Sequence, residues 1–303
     1  ASVNAMGTGP FKITLREPNT KTIFKKNSKW WGNVEHNLTS IELLPIANAA
    51  TRVAALLSGE IDLVTDAPVQ DLGRIGSSAG HQVVSTPQMR TIFLGMDQGA
   101  DQLRSGNTGD NPFKKKEVRQ ALYQAIDINA IKKKVMRGLS EPAGIITFPG
   151  VTGYTNDLDK RLAYDPEAAK KLLADAGYPN GFDVELRCPN DRYVNDEAIC
   201  TAVVGMFGKI GVNVSLNSQT KSKHFKELKN KKGDFYMLGW GVPTLDSHYV
   251  FHYLYDTGAS WNRVNFSDAR VDELIKVMEG EVDLEKRNAA IAEAWKIVKD
   301  DIS

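Results

Sequence analysis

The sequence predicts an α/β protein of two domains, and three observations lead to that prediction. Short apolar strands alternate with amphipathic helices beyond about residue 113, as crossover connections in an α/β sheet require. The length of 303 residues suits two domains. A stretch rich in Gly, Asn and Asp separates the halves and has the composition of a linker. We therefore expect a first domain over residues 1–98, a linker over 99–112 and a second domain over 113–303.

The composition is ordinary for a folded protein and excludes few functions. The chain is 42% hydrophobic and 25% charged, and its net charge is +1. Because positive and negative charges are almost equal in number, the composition gives no reason to expect a nucleic-acid partner or a membrane surface. No apolar run reaches the length of about 18 residues that a membrane-spanning helix needs. The first residues also lack a signal-peptide pattern, which fits a cytosolic protein or a mature or recombinant piece of an exported one.

The first hundred residues predict short strands and one helix. Residues 11–15 alternate apolar and polar side chains, and residues 22–26 continue the pattern after a Pro18-Asn19 turn, which indicates an antiparallel pair. Further strands are expected at 40–46, 61–64, 83–84 and 91–94. Residues 49–57 favour a helix, and Gly59 stands where a terminating glycine belongs.

The second half predicts longer helices between strands. Asp165, Pro166 and Gly177 are the start and stop residues of a helix over 166–176. An apolar stripe from Val118 to Ile126 predicts a helix, and a second helix carries Ile131 and Val135. Other helices are expected at 198–207, 225–231, 271–278 and 287–298, and strands at 184–186, 212–216 and 235–238.

Two cysteines, Cys188 and Cys200, match no zinc-binding or redox spacing. A disulfide in an oxidising compartment and two buried thiols are both compatible with the sequence. If the cysteines are bonded, their Cα atoms must lie within about 7 Å of each other.

The sequence contains no motif of a catalytic or cofactor site. The GxSxG, GxxxxGK[ST] and HExxH patterns are all absent, and we expect neither an enzyme nor a cofactor. His248 and His252 have helical i, i+4 spacing, but two ligands are too few for a metal and no acidic or Cys residue is adjacent. We therefore interpret them as two partly exposed histidines on an aromatic helix, and expect no metal site.

A series of segments carries a resemblance to a known family. They are Gly-Thr-Gly-Pro-Phe at 7–11, Asn-Ser-Lys-Trp-Trp-Gly at 27–32, Ala-Leu-Leu-Ser-Gly-Glu-Ile-Asp at 55–62, Val-Arg-Gln-Ala-Leu at 118–122 with Ala-Ile-Asp at 125–127, Ala-Lys-Lys-Leu-Leu at 169–173 with Ala-Gly-Tyr-Pro-Asn-Gly-Phe at 176–182, Lys-Ile-Gly-Val at 209–212, Gly-Trp-Gly at 239–241 and Val-Asp-Glu-Leu-Ile at 271–275. Together and in this order they resemble the extracellular solute-binding proteins of family 5, the dipeptide-, oligopeptide- and nickel-binding receptors of ABC importers.

The resemblance implies a fold and a function. It implies a two-lobed, type II periplasmic-binding-protein architecture that closes about a hinge near residues 94–98. A small solute, most favourably a peptide, would bind between the lobes, and the receptor, a periplasmic or lipid-anchored monomer, would deliver it to a membrane permease. The alternatives are another cargo, such as a nickel chelate, a sugar or an opine; an α/β hydrolase-type enzyme; and an interaction module.

Compared with the family pattern, the chain lacks segments at both ends. In the family, an N-terminal strand and an inserted smaller domain precede the Gly-Thr-Gly-Pro turn, and a further strand follows the last helix. The chain is therefore expected to be the middle-to-late portion of a longer receptor with an incomplete first lobe. That lobe should then expose unpaired sheet edge or apolar surface.

Two loops at strand ends carry the candidate ligand residues, because such loops face the crevice yet rest on a rigid sheet. In segment 190–196, Arg192 could bind a carboxylate and Tyr193 could form a flat wall, although Asn195 or Asp196 could equally cap a helix. Segment 239–247 matches a cleft-lining segment of the family.

Segment 239–247 contributes four candidates, namely Trp240, Gly241, Thr244 and Asp246. Pro243 stands where family peptide receptors often place an amine-binding Asp. Asp246 could take over that charge, or act as a helix cap, or the cargo could lack a free amine.

Overall fold

The computed structural model describes residues 5–106 and 109–303, and its elements follow the alternation that the sequence predicts. The strands are β1 Phe11–Glu17, β2 Lys21–Lys26, β3 Ser40–Leu43, β4 Arg90–Met96, β5 Asp183–Pro189, β6 Asn213–Gln219 and β7 Phe235–Gly241. The helices are α1 Ala49–Leu57, α2 Leu72–Ser77, α3 Lys116–Ala125, α4 Ile128–Ala130, α5 Pro166–Asp175, α6 Asp196–Gly208, α7 Lys221–Lys229, α8 His248–Val250, α9 Ala269–Gly280 and α10 Leu284–Asp301. Two π-helical turns, Ile131–Val135 and Phe251–Tyr255, continue α4 and α8.

The chain divides into two compact units. The first contains the described residues up to Ala67 together with Arg74–His81, and the second contains Pro68–Gly73 and Gln82–Ser303. Strand β4 pairs along its whole length with β7 and so lies in the second unit, whereas a boundary at residue 98 would place it in the first. How the lobes of the whole protein divide stays a prediction.

The first unit holds a three-stranded antiparallel sheet in the order β1-β2-β3. The β1–β2 pair and helix α1 form where the sequence predicts them, and Gly59 follows α1 with a φ of 78°, which an L side chain rarely adopts. Every residue of β3 is exposed, and so is all of β1 after Phe11. The expected exposed edge and apolar surface are therefore confirmed among the described residues.

Two strand predictions in this region are wrong. Neither residues 61–64 nor Val83-Val84 form a strand, and neither pairs with a described strand. Both runs are apolar, but an apolar run becomes a strand only where a neighbouring strand satisfies its backbone groups.

The second unit is a three-layer sandwich around a mixed sheet in the order β4-β7-β5-β6. Strands β5, β6 and β7 are parallel, and β4 runs antiparallel to β7 at one edge. Side chains of β7 alternate between two cores: Tyr236 and Leu238 pack with α9 and α10, whereas Phe235 and Met237 pack with α3, α5 and α6.

Local sequence explains why these helices begin and end where they do. In α5, Asp165 accepts a hydrogen bond from the Ala168 backbone N–H at 2.9 Å, Pro166 occupies the first turn and Gly177 has a φ of 96°. The predicted start and stop residues of this helix are confirmed.

The cysteines form a disulfide within the second unit. Cys188 in β5 is bonded to Cys200 in α6, the Cα atoms are 6.5 Å apart, and both residues are buried. The disulfide hypothesis is confirmed, and the alternative of two free thiols is wrong.

The predicted linker is anchored to the second unit by charge. Arg104 forms ion pairs with Asp97 at 2.7 Å and with Asp234 at 2.6 Å, and both carboxylates are buried. Asn111 accepts a hydrogen bond from Phe113 N–H and starts the 3₁₀ turn that precedes α3. Asn107 and Thr108, which belong to this predicted linker, lie outside the described residues.

None of the helices in the described part of the chain combines the length and hydropathy of a membrane span.

Candidate functional site

The site is built at the edge of the sheet where its parallel strands end, here called the carboxyl edge. Strands β5, β6 and β7 end there at Pro189, Gln219 and Gly241. Because β4 is antiparallel, its first residue, Arg90, pairs with Gly241 and lies at the same edge. Open α/β sheets bind ligands in the crevice beyond the carboxyl ends of their strands.

A buried carboxylate folds segment 190–196. Asp196 accepts hydrogen bonds from the backbone N–H groups of Arg192 and Tyr193, both at 2.9 Å. Burial raises the pKa of Asp196, although these backbone bonds favour its charged form. Asn195 precedes α6 without a side-chain capping bond and instead donates to the Val135 carbonyl. The segment therefore presents Arg192 and Tyr193 on a fixed backbone.

The ring of Tyr193 lies beneath two arginines. The guanidinium carbon of Arg192 is 5.0 Å from the ring centroid, and that of Arg90 is 5.7 Å away. The Tyr193 hydroxyl accepts a hydrogen bond from Gly239 N–H at 2.8 Å, which joins the two segments that the sequence singles out. Burial raises the pKa of Tyr193, so the phenol remains neutral.

Neither arginine has an acidic partner in the described part of the chain. The ion pairs found there, at up to 4.0 Å, include neither Arg90 nor Arg192. Both side chains are partly exposed. Two unneutralised guanidinium groups on one ring form a positively charged place where a ligand carboxylate could form bidentate hydrogen bonds.

Trp240, next to the end of β7, belongs to an aromatic cluster on the other face of the sheet from Tyr193. Its ring centroid lies 5.9 Å from those of Tyr249 and Tyr253 and 6.0 Å from that of Trp261. The indole side chain is partly exposed, and its Nε1 is buried without a hydrogen-bond partner among the described residues. The cluster provides an apolar aromatic surface, in which one donor is buried and unused.

The remaining candidates of segment 239–247 differ in accessibility. Gly241 pairs with Arg90 in the β4–β7 ladder, and a Cβ atom there would come within 3.2 Å of the Met89 carbonyl oxygen. Thr244 is exposed. The missing side chain at Gly241 therefore lets the chain at Met89 approach β7 closely.

The carboxylate of Asp246 already forms an ion pair with Arg287. Its carboxylate accepts from Arg287 Nη1 at 2.8 Å and Nη2 at 3.0 Å, and from His248 N–H at 2.9 Å. Burial would raise the pKa of Asp246, but the bonds to Arg287 and His248 hold it below its ordinary value. Asp246 thus anchors the first residue of α8, whose N-cap position is occupied by Ser247, and the role of Asp246 toward a ligand stays a prediction.

Sequence reasoning misses Arg90 and Arg287. Arg90 reaches the edge only through the register of β4 on β7, and Arg287 lies on α10, 41 residues beyond its partner Asp246. A tertiary register leaves no local pattern in one sequence. The one local signal in the sequence is that Arg90 directly precedes an apolar strand, and this signal is not specific by itself.

Comparisons with known proteins place the chain in a family. The sequence model for the bacterial extracellular solute-binding proteins, family 5 Middle, matches residues 2–262. The dipeptide-binding protein of Escherichia coli K12 is 26% identical over 268 residues, which are 88% of this chain and 48% of that protein.

Solved structures share the fold. The periplasmic binding protein DppA of Helicobacter pylori, in complex with the peptide STSA, has a TM-score of 0.85 at 25% identity, covering 98% of this chain and 56% of that one. AgaA of A. tumefaciens R10, in complex with agropinic acid, has a TM-score of 0.77 at 27% identity, covering 96% of this chain and 58% of that one. The chain spans about half the length of the curated relatives that it matches.

Proposed function

The chain belongs to the bacterial extracellular solute-binding proteins of family 5, and from that membership we propose that the full-length protein is the solute-binding component of an ABC importer. It captures a small solute, for which a peptide is the favoured candidate, and delivers it to a membrane permease. The relatives named above, a dipeptide-binding protein and a binding protein in complex with a peptide, support the choice of cargo.

One observation carries the choice of site. Arg90 and Arg192 lie unneutralised over Tyr193 at the carboxyl edge, and the aromatic cluster of Trp240 lies at the same edge on the other face of the sheet. A ligand carboxylate would receive bidentate hydrogen bonds from Arg192 and a second positive charge from Arg90. Trp240 would cover the apolar part of the ligand, and the exposed segment around Gly241 and Thr244 would contact its main chain.

A second cargo class is an acidic solute without a free amine. Asp246 is held by Arg287, and Pro243 supplies no charge, so segment 239–247 as described offers no unpaired carboxylate for an ammonium group. The complex of AgaA with agropinic acid shows that a relative of this fold holds an opine. An acidic solute of this class would bind at the arginine site and would need no contact for an amine.

The proposal includes location and partners. We propose a periplasmic or extracellular protein, in keeping with the extracellular family and the periplasmic relative, that acts as a monomer with its permease. It is proposed to be a binding protein and not an enzyme, with no nucleic-acid partner and no cofactor.

Calorimetric titration of the full-length protein tests the cargo and the site together. Di- to hexapeptides should be compared with their N-acetylated and C-amidated forms and with agropinic acid. We expect amidation of the ligand carboxylate to weaken binding by about 10- to 150-fold, the worth of a charged hydrogen bond. If none of these peptides binds, a peptide is excluded as the cargo.

Variants then locate the carboxylate contact. Arg192→Gln should weaken carboxylate ligands and leave their amidated forms unchanged, because only the former gain from the guanidinium. Arg16→Gln, on the exposed strand β1, is the matched control for a change of charge. If Arg192→Gln lowers the affinity for free and amidated ligands equally, the ligand carboxylate does not bind to Arg192. N-acetylation distinguishes the two cargo classes, since the opine-like class predicts that it has little effect.

A further inference from the structure

Two histidines and a glutamate meet on the surface of the second unit. His248 begins α8, and His252 lies one helical turn later in the π-helical segment, so both imidazoles share a face. Their ring centroids are 5.6 Å apart. Glu279, near the end of α9, places its Oε1 3.3 Å from His248 Nε2 and 3.5 Å from His252 Nδ1. One possible ligand atom from each residue lies within 4.8 Å of the others.

We propose that His248, His252 and Glu279 bind a divalent transition-metal ion of the zinc, nickel or copper type. Imidazole nitrogen and carboxylate oxygen suit these metals, whereas Mg²⁺ and Ca²⁺ prefer oxygen alone. Metal–ligand bonds of about 2.0–2.2 Å place neighbouring tetrahedral ligands about 3.4 Å apart. The two separations to Glu279 Oε1 already have that length.

A second observation points to a ligand at this place. His252 Nδ1 is buried, faces Glu279 and has no hydrogen-bond partner among the described residues. A buried ring nitrogen without a partner has lost its water without a replacement, and a metal ion would supply one. The side chains of His248, His252 and Glu279 are 26%, 45% and 48% exposed, so an ion can reach them from solvent.

The surrounding contacts fix the two histidines. Asp246, held by Arg287, accepts the backbone N–H of His248 and so anchors the first turn. The ring of His252 packs edge-on against Tyr253, at an interplanar angle of 88° and a centroid distance of 4.9 Å. Ligands held by neighbouring groups bind metal more tightly than free ones. Three protein ligands also leave a position open for water or another donor, as in a catalytic or exchangeable site.

Titration of the chelator-stripped chain, purified without a histidine tag, tests the site. Calorimetry should give saturable binding of one Zn²⁺, Ni²⁺ or Cu²⁺ ion per chain and none of Mg²⁺. Bound ion should raise the unfolding temperature, because it stabilises only the folded state. Absence of saturable binding by all three transition metals would overturn the proposal.

Three variants assign the ligands. His248→Ala, His252→Ala and Glu279→Gln should each weaken binding of the ion by more than the about 10- to 100-fold that loss of an outer-shell partner costs. His36→Ala removes a histidine of the first unit, stacked on Phe11, and should leave affinity unchanged. Circular dichroism checks that each variant folds, and the visible spectrum of bound Co²⁺ reports nitrogen and oxygen ligation without reference to stability. Equal affinity in all four variants would mean that the ion binds elsewhere and would refute the site.

Discussion

The two units contain sheets of similar strand length, but they bury these sheets to different extents. In the first, β1–β3 pair with one another although none of their residues is buried, and Val53, Ala55 and Ile75 are the buried apolar residues among those described. In the second, every face of β7 is covered, by α9 and α10 on one side and by α3, α5 and α6 on the other. Both sheets therefore have paired backbones, but only the sheet of the second unit is buried.

The difference explains where a binding site can be built. Three or more strands need a covered hydrophobic face for independent stability. Loops hold a ligand geometry only when the elements beneath them are fixed. The carboxyl edge of the second sheet meets that condition, and the candidate residues lie there. Variants in the two units test this contrast.

Trp295→Ala should have the largest effect on stability. Trp295 on α10 is fully buried and its ring lies 4.5 Å from that of Phe251. Removing it leaves a cavity and should lower the free energy of unfolding by about 3–5 kcal/mol, measured by urea denaturation. Trp31→Ala is the matched control, because Trp31 is 86% exposed in the first unit and should change stability by about 0.5 kcal/mol at most. Similar losses in both variants would break the contrast.

Removal of the disulfide should come next. Cys188 and Cys200 are 12 residues apart, and opening a loop of that size lowers the free energy of unfolding by about 3 kcal/mol in the chain-entropy model. The double variant Cys188→Ala/Cys200→Ala should therefore unfold at lower urea, and a reductant should shift wild type but not the variant. No difference between oxidised and reduced wild type would contradict the prediction.

The buried His224 should make stability depend on pH. Burial lowers its pKa, while the bond from Nε2 to the Met237 carbonyl and Glu227 oppose the shift and Arg187 adds to it. The folded state thus binds fewer protons than the unfolded state below the ordinary pKa of about 6.5. Stability should fall as the pH drops below that value, by at most about 1.4 kcal/mol per pH unit.

His224→Gln isolates this contribution, because a glutamine amide can keep the bond to the carbonyl and does not titrate. The difference between wild type and variant, measured by urea denaturation from neutral to acidic pH, should shrink toward low pH. A difference that stays constant with pH would show that His224 titrates alike in both states.

The smallest effect is expected on the first sheet. Leu43 ends β3 and is 56% exposed, so Leu43→Ser removes little buried area and should change the free energy of unfolding by about 0.5 kcal/mol at most. Leu186→Ser, at a fully buried position of β5, is the comparison and should cost several times more. A loss at Leu43 as large as that at Leu186 would mean that its strand is covered in solution.

Sequence patterns predict what local chemistry decides. Helix α1 has the predicted bounds, and α5 begins after its predicted cap Asp165. The strand expected at 61–64 is absent because strand formation depends on a partner that an apolar run cannot specify.

The site divides in the same way. Segment 190–196 was identified from its own residues, whereas the approach of Arg90 to Tyr193 depends on how β4 aligns with β7. Glu279 likewise lies 31 residues from His248, and only the packing of α9 brings it to the histidines. Contacts between distant elements are set by tertiary structure, and one sequence does not record them.

The disulfide has a consequence for recognition as well as for folding. Together, the bond between Cys188 and Cys200 and the chain between them form a covalent ring that contains both Arg192 and Tyr193. A ring restricts the conformations of these residues before any ligand arrives, so less entropy is lost when a ligand orders them. The affinity for a carboxylate would then depend on the oxidation state of two buried sulfur atoms. Under the proposed function, oxidation of the two sulfur atoms would therefore favour ligand binding.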